Sequence, residues 1–225
     1  MRFKRIVQGA ALVAAGLLTI GATRLNWDAT VVETAGGHRI GNPAAKVKLI
    51  EYISYTCSHC AHFAREGEPA LKIGYVVEGK VNVEVRHLIR DPIDLTAAML
   101  VSCGAAAKFP QNHLAIMLGQ DNWIKPLTAS SAAQQARWRV AGAAGRRSIA
   151  SDFGFYKLMQ GRGYSRTAVD RCLADEARAT QLAATSAEDW RKPGVSGTPA
   201  FAINGRVLPE THTWEALEPL LKGAL

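Results

Sequence analysis

The sequence has no internal repeat at a solenoid period and no long low-complexity tract, which excludes a stacked-repeat architecture and a biased, spacer-like chain. Cysteine is scarce, with four residues in 225, and only Cys57 and Cys60 are spaced Cys-x-x-Cys. With no second such pair, a zinc site built from two separated pairs lacks half its ligands. Ala61 rather than histidine follows Cys60, which excludes covalent haem attachment. A large surplus of one charge is also missing. Of the formal net charge of +8, four charges belong to Arg2, Lys4, Arg5 and Arg24, in a segment without an acid. The +4 left on the remainder does not indicate nucleic-acid binding, and the Arg137/Arg139 and Arg146/Arg147 pairs, set in Ala-rich sequence, read as solvated helix faces.

What the chain does have is the composition of a globular protein, 48% hydrophobic and 20% charged, long enough for one core or for a domain with a sizeable insertion. Its first residues carry Arg2, Lys4 and Arg5, followed by an apolar run from Ile6 to Ile20 and the small residues Gly21 and Ala22. A basic region, an apolar region and small exit residues make a secretory signal, expected over residues 1–23. Ile20 stands where a cleavage site prefers a small residue, and the run reaches about 18 residues if stretched to Thr23, so an uncleaved membrane anchor stays open. Either form places the folded part outside the cytoplasm, in the periplasm. An oxidising compartment makes disulfide chemistry the natural use of the four cysteines.

Residues 24–45 are expected to be a short tail, with Gly36, Gly37, Gly41 and Pro43 as turn formers. Val47 to Ile53 is dense enough in apolar and β-branched residues for a buried strand, and it leads straight into Tyr55-Thr56-Cys57-Ser58-His59-Cys60. Ala61, Phe63, Ala64, Ala70 and Leu71 then give a helical tendency, with a break expected between Gly67 and Pro69. Val81 to Ile89 alternates over its first half and reads as a second strand, so the order is β-α-β and a parallel pair follows. Residues 92–193 read as mostly helical: Leu95, Met99, Leu100 and Cys103 share one helix face, and Ser165 caps a helix carrying Val169, Cys172 and Leu173. Ala200 to Ile203 and Arg206 to Leu208 flank Asn204-Gly205, which suits a type I′ hairpin. Thr213 caps a last helix with Trp214, Leu217, Leu220 and Leu221, expected to be distorted by Pro219. The expected fold is α/β, a domain over 46–225 whose core (46–91 and 194–225) forms one sheet around a large helical insertion at 92–193.

Two cysteines three residues apart at a helix start can close a small disulfide and reopen it. Unpaired N–H groups and the positive end of the helix dipole favour thiolate over thiol there. Cys57 is thus expected to be the exposed nucleophile with a lowered pKa, and Cys60, one turn inside, the buried resolving thiol. His59, between them, can lend a hydrogen bond or positive charge to the Cys57 sulfur. A metal site recruiting Cys57, Cys60, His59 and His62, and a permanently closed structural disulfide, are the competing readings. Redox exchange fits the residues better than either.

With these residues on the page, the chain resembles the thioredoxin superfamily, and within it the DsbA-like branch. The resemblance covers roughly residues 44–225 and rests on a strand running into Cys57-Ser58-His59-Cys60, on Gly197-Thr198-Pro199 before a later strand, and on the helical insertion. It implies a thioredoxin fold, a cis Pro199 beside the redox pair, and a Thr198 backbone that meets an extended substrate by strand addition. Glu51, six residues before Cys57, stands where these families carry a buried acid that helps proton traffic at the second cysteine. Two departures stand out. Thr198 is closer to isomerase relatives than to oxidases with an aliphatic residue there, and Val85 occupies the place of the acid's basic partner.

The activity implied is that of a protein-disulfide oxidoreductase. As a dithiol oxidase it would donate the Cys57–Cys60 disulfide to folding exported polypeptides, with no prosthetic group and no nucleic acid, and work as a monomer. A quinone-linked membrane partner, DsbB-like, would re-oxidise it. An isomerase or reductase of the same superfamily, and an exported copper-binding protein, are the alternatives. Cys103 and Cys172 lie on apolar helix faces in the insertion; a structural disulfide between them would close a loop of about 70 residues and stabilise by roughly 4 kcal/mol, the alternative being two separate buried thiols.

Overall fold

The computed structural model describes residues 26–225, so the expected signal segment at 1–23 lies outside the described residues. Six strands form one mixed sheet: β1 (Val31–Thr34), β2 (Gly37–Gly41), β3 (Val47–Ile53), β4 (Val81–His87), β5 (Ala200–Ile203) and β6 (Arg206–Leu208), in the order β1-β2-β4-β3-β5-β6. Helix α1 (Ser58–Leu71) crosses from β3 to β4, and these two strands are parallel, with Glu51 opposite Val85. β5 returns antiparallel to β3, placing Phe201 opposite Glu51. This is a thioredoxin fold.

The insertion lies between β4 and β5. It contains α2 (Pro92–Val101), α3 (Phe109–Leu118), α4 (Gln120–Trp123), α5 (Pro126–Ala129), α6 (Ala132–Trp138), α7 (Gly142–Asp152), α8 (Phe155–Gly161), α9 (Arg166–Leu173) and α10 (Glu176–Asp189). Asp91 starts it: its side chain accepts from the Asp94 N–H, and Pro92 occupies the first turn, where its missing N–H costs nothing. Cys103, just past α2, is joined by a disulfide to Cys172 on α9, with Cα atoms 5.7 Å apart. On the other side, the Arg86 guanidinium of β4 donates to both oxygens of Asp189 on α10 at 2.7 and 3.1 Å, fastening the block to the sheet. The chain ends in α11 (Trp214–Ala224), capped by Thr213.

Two local expectations are corrected. Residues 31–41, expected within a tail, form a hairpin that extends the sheet beyond β4. Gly37 is there for close approach rather than for a turn, because a Cβ on it would meet the Val85 carbonyl oxygen at 2.0 Å. Helix α1 does not break at Gly67–Pro69. Gly67 lies against the Phe63 ring, and the helix runs on to Leu71, where the Lys72 N–H reaches the carbonyls of both Glu68 and Pro69 before a π-helical turn at Lys72–Val76. As expected, α11 begins at the Thr213 cap, and Pro219 lies within its Trp214–Ala224 span. The hairpin between β5 and β6 has Asn204 at φ 49° and Gly205 at φ 84°, the two positive values a type I′ turn needs.

Candidate active site

Strand β3 delivers the chain into a tight loop, Ser54-Tyr55-Thr56, that positions Cys57 as the N-cap of α1. The loop is fixed from the insertion. Buried Asp94, on α2, accepts from the Ser54 hydroxyl at 2.6 Å and from the Tyr55 N–H at 2.8 Å, and Asp91 accepts from the Thr56 hydroxyl at 2.9 Å. Gln120, at the start of α4, donates from one amide nitrogen to the carbonyls of Tyr55 and Cys57, at 2.6 and 2.9 Å. Burial pushes the Asp94 carboxyl up to about 7 despite these donors. A second loop comes from the far end of the chain. The Thr198–Pro199 peptide is cis, and the His212 imidazole donates to the Pro199 carbonyl at 2.7 Å.

These two loops meet at the cysteines, both of which are free thiols. The Cys57 thiol donates to the Thr198 carbonyl at 3.2 Å. As a thiolate it instead accepts, chiefly from the Cys60 thiol. Burial opposes this, and further donation comes from the Thr198 side chain and the N–H groups of Cys60 and His59, so that its pKa falls to about 5. Cys60 is driven the other way, well above the ordinary thiol value, first by burial and then by its hydrogen bond to Cys57. The pair is therefore polarised, with one sulfur an anion near neutrality and its neighbour held as a thiol.

The sequence-predicted residues do not all act as expected. Cys57 is less open than a free nucleophile, at 7% exposure, because the Thr198–Pro199 loop covers it; Cys60 has 1%. His59 is exposed, and what it gives the Cys57 sulfur is its backbone N–H. His62 points away to pair with Glu66 at 3.2 Å, and no three His, Cys, Asp or Glu side chains converge as metal ligands among the described residues. Glu51 is 1% exposed with one carboxyl oxygen unpartnered, and burial, followed by the nearby Glu68 charge, raises its pKa well above the usual carboxylate range. Val85 stands directly across from it, so the residue at that register of β4 offers it no charged partner.

Sequence reasoning missed Asp94, Asp91 and Gln120, which hold the redox loop, and His212, which holds the proline loop. Asp91 and Asp94 carried a signal, an N-cap acid before a proline and an acid at the third helical position. Gln120 and His212 carried none, since only the fold brings them across.

Fold and site together define the class: a thioredoxin-fold protein with a dithiol–disulfide pair at a helix start, a cis-proline loop over it and a helical insertion. Comparison with known sequences agrees. The thioredoxin family profile matches residues 33–223, and the chain belongs to that family. A candidate protein-disulfide oxidoreductase of Rickettsia conorii is 30% identical over 167 residues, 74% of this chain and 52% of that protein; its Rickettsia prowazekii counterpart is 31% identical over 188 residues, 83% of this chain and 60% of its own. The chain thus spans little more than half the length of these relatives. A protein-disulfide isomerase from Novosphingobium aromaticivorans superposes with a TM-score of 0.80 at 47% identity, covering 84% of this chain and 98% of that one. The α-DsbA1 protein of Wolbachia pipientis shares the fold, with a TM-score of 0.63 at 22% identity over 83% of this chain and 89% of its own. The architecture is DsbA-like.

Proposed function

We propose that this protein is a protein-disulfide oxidoreductase that donates the Cys57–Cys60 disulfide to cysteine-bearing polypeptides in an extracytoplasmic compartment. A substrate thiolate attacks Cys57 of the oxidised pair and forms a mixed disulfide, releasing Cys60. The substrate's second thiolate then displaces Cys57. The substrate dithiol is oxidised to a disulfide, and the enzyme disulfide is reduced to two thiols. One observation carries this reading: the Cys57 thiolate is held at a pKa of about 5 beside a Cys60 pushed the opposite way. Stabilising the reduced form makes the disulfide a better oxidant, by about 30 mV for each tenfold gain in thiolate down to ambient pH. The basic and apolar opening of the sequence supports export, and the same physics requires a re-oxidant, for which a quinone-linked membrane protein is the natural class.

Isomerase action is the second reading, supported by Thr198 before the cis-proline and by the 47% identity to a protein-disulfide isomerase. The two separate in one measurement, equilibration of the Cys57–Cys60 pair against glutathione together with turnover of a reduced and of a scrambled substrate. A potential well above that of the glutathione pool with fast oxidation of the reduced substrate is expected; preferential rescue of the scrambled one would favour isomerisation. Cys57→Ser is expected to abolish turnover and Cys60→Ser to trap the mixed disulfide. Full activity in Cys57→Ser would end the mechanism.

A further inference from the structure

One face of α1 carries Cys60, Ala64, Glu68 and Leu71, spaced by four, four and three residues; Cys60, Ala64 and Leu71 are buried and Glu68 is half-buried. Beneath this face a cavity of about 350 Å³ is lined by Glu51, Glu68, His113, Phe109, Leu71 and Val85. Glu51 is the deep end: it is 1% exposed, and its Oε1 has no hydrogen-bond partner. Glu68 is the shallow end, with its side chain 18% exposed and one oxygen 2.8 Å from Nε2 of His113. Because a carboxylate only accepts, His113 donates there from Nε2, and its Nδ1 accepts from the Tyr55 hydroxyl, 2.8 Å away. Glu68 is thus held in one orientation. The space is roomy and its walls are mainly apolar, so Glu51, Glu68 and His113 are the polar groups that can hold waters between its ends.

We propose that Glu68 is the proton partner of Glu51, exchanging protons with it through this cavity and so linking the buried acid to solvent. The inference rests on the reading that Glu51 exchanges a proton with the Cys60 sulfur. When the substrate sulfur bonds to Cys57, the Cys57–Cys60 bond breaks and its electron pair goes to Cys60. Cys60 takes the proton of the Glu51 carboxyl, and Glu51 becomes a carboxylate in apolar surroundings. Glu68 takes a proton from solvent and passes it through the cavity to Glu51, returning to the carboxylate that His113 holds. Re-oxidation runs the same transfers backwards. Glu68 acts through Glu51 and is a positioning and relay residue. The other titratable groups facing Glu51 are Tyr55 from the redox loop, His113 from α3, His38 from β2 and His87 from β4, while Asp28 and Lys72, ion-paired at 2.8 Å, line the cavity mouth.

The test is stopped-flow reduction of the oxidised full-length protein by a dithiol peptide, between about pH 5 and pH 9, the pKa of Cys57 and the ordinary thiol value. It is run in water and in deuterium oxide, with Glu68→Gln, Glu51→Gln, the double variant and Glu68→Asp. Glu68→Gln is expected to slow the reaction about tenfold near neutrality, less than the roughly hundredfold or more of direct proton transfer because Glu68 acts through Glu51, with a larger solvent isotope effect and an unchanged Cys57 titration. The double variant should be no slower than Glu51→Gln, and Glu68→Asp, which keeps the carboxyl, should recover most of the rate. A wild-type rate and pH profile in Glu68→Gln, losses that multiply in the double variant, or a Glu68→Asp as slow as Glu68→Gln would each overturn the relay while leaving the Glu51 reading in place. A wild-type rate in Glu51→Gln would remove that reading and the relay with it.

Discussion

At the scale of single residues, the chemistry reduces to where charge is tolerated. Cys57 receives several donors and becomes anionic early; at Cys60, Glu51 and Tyr55 burial dominates and all are held neutral. Glu51 costs stability whenever it ionises. Its native pKa lies above the unfolded value of 4.5, so its favourable contribution is complete below that pH and is lost as pH rises through the native value. Glu51→Gln is therefore expected to match wild-type stability more closely at acid pH and to gain on it above, by about 1.4 kcal/mol per pH unit until the native carboxyl ionises. Urea unfolding of the oxidised protein at several pH values checks this; an advantage that shrinks as pH rises would contradict it.

At the scale of elements, the redox loop is not self-supporting. It hangs on the N-terminus of α2 and on the first residue of α4, both in the insertion. Asp94→Ala removes a buried acceptor from the Ser54 hydroxyl and from the N–H groups of Tyr55 and Arg90, and is expected to cost about 2–4 kcal/mol. It should also raise the Cys57 pKa by loosening the helix start, read from the thiolate absorbance. The Cys103–Cys172 disulfide, whose ends are 69 positions apart in sequence, serves the same block. Cys103→Ala with Cys172→Ala is expected to lower stability by up to about 4 kcal/mol, with little effect on the redox equilibrium of the other pair. A large change in that equilibrium would show that the two disulfides are coupled.

Across the whole molecule, the added hairpin, the sheet and α3 enclose three histidines around Phe109. His38 stacks on that ring at 4.0 Å, and His87 and His113 flank it at 6.2 and 5.5 Å. Burial, reinforced by Arg178 and His113, lowers His38 to about 3, and burial with the neighbouring imidazoles drives His87 well below its ordinary value. Both native pKa values lie below the unfolded value of 6.5, so this stability is complete above that pH and is lost as pH falls from there toward about 3. Thermal unfolding is expected to drop steeply across that window, and His38→Phe should flatten the drop. An unaltered slope in that variant would exclude His38 as its source.

Much of this was legible in the sequence, because the signals were local. Strand β3, the Cys57-x-x-Cys60 helix start, the Thr213 and Ser165 caps and the Asn204-Gly205 turn each state their geometry within a few residues, through backbone preferences and hydrogen bonds that need no distant partner. The 31–41 hairpin was not legible, since Gly36 and Gly37 read equally as loop residues until Arg86 and Val85 of β4 lie against them. Nor was the continuity of α1 through Pro69, which depends on the turn that follows it. Asp94, Gln120 and His212 reach the site only across the fold, and Glu68, on α1 with Cys60, shares a cavity with Glu51 only through tertiary packing. By itself the sequence determined that two sulfurs would sit at a helix start where an anion is stabilised. The tertiary structure decided how far each is removed from water and which donors and acids surround it, because burial and electrostatic coupling depend on what lies nearby in space rather than along the chain.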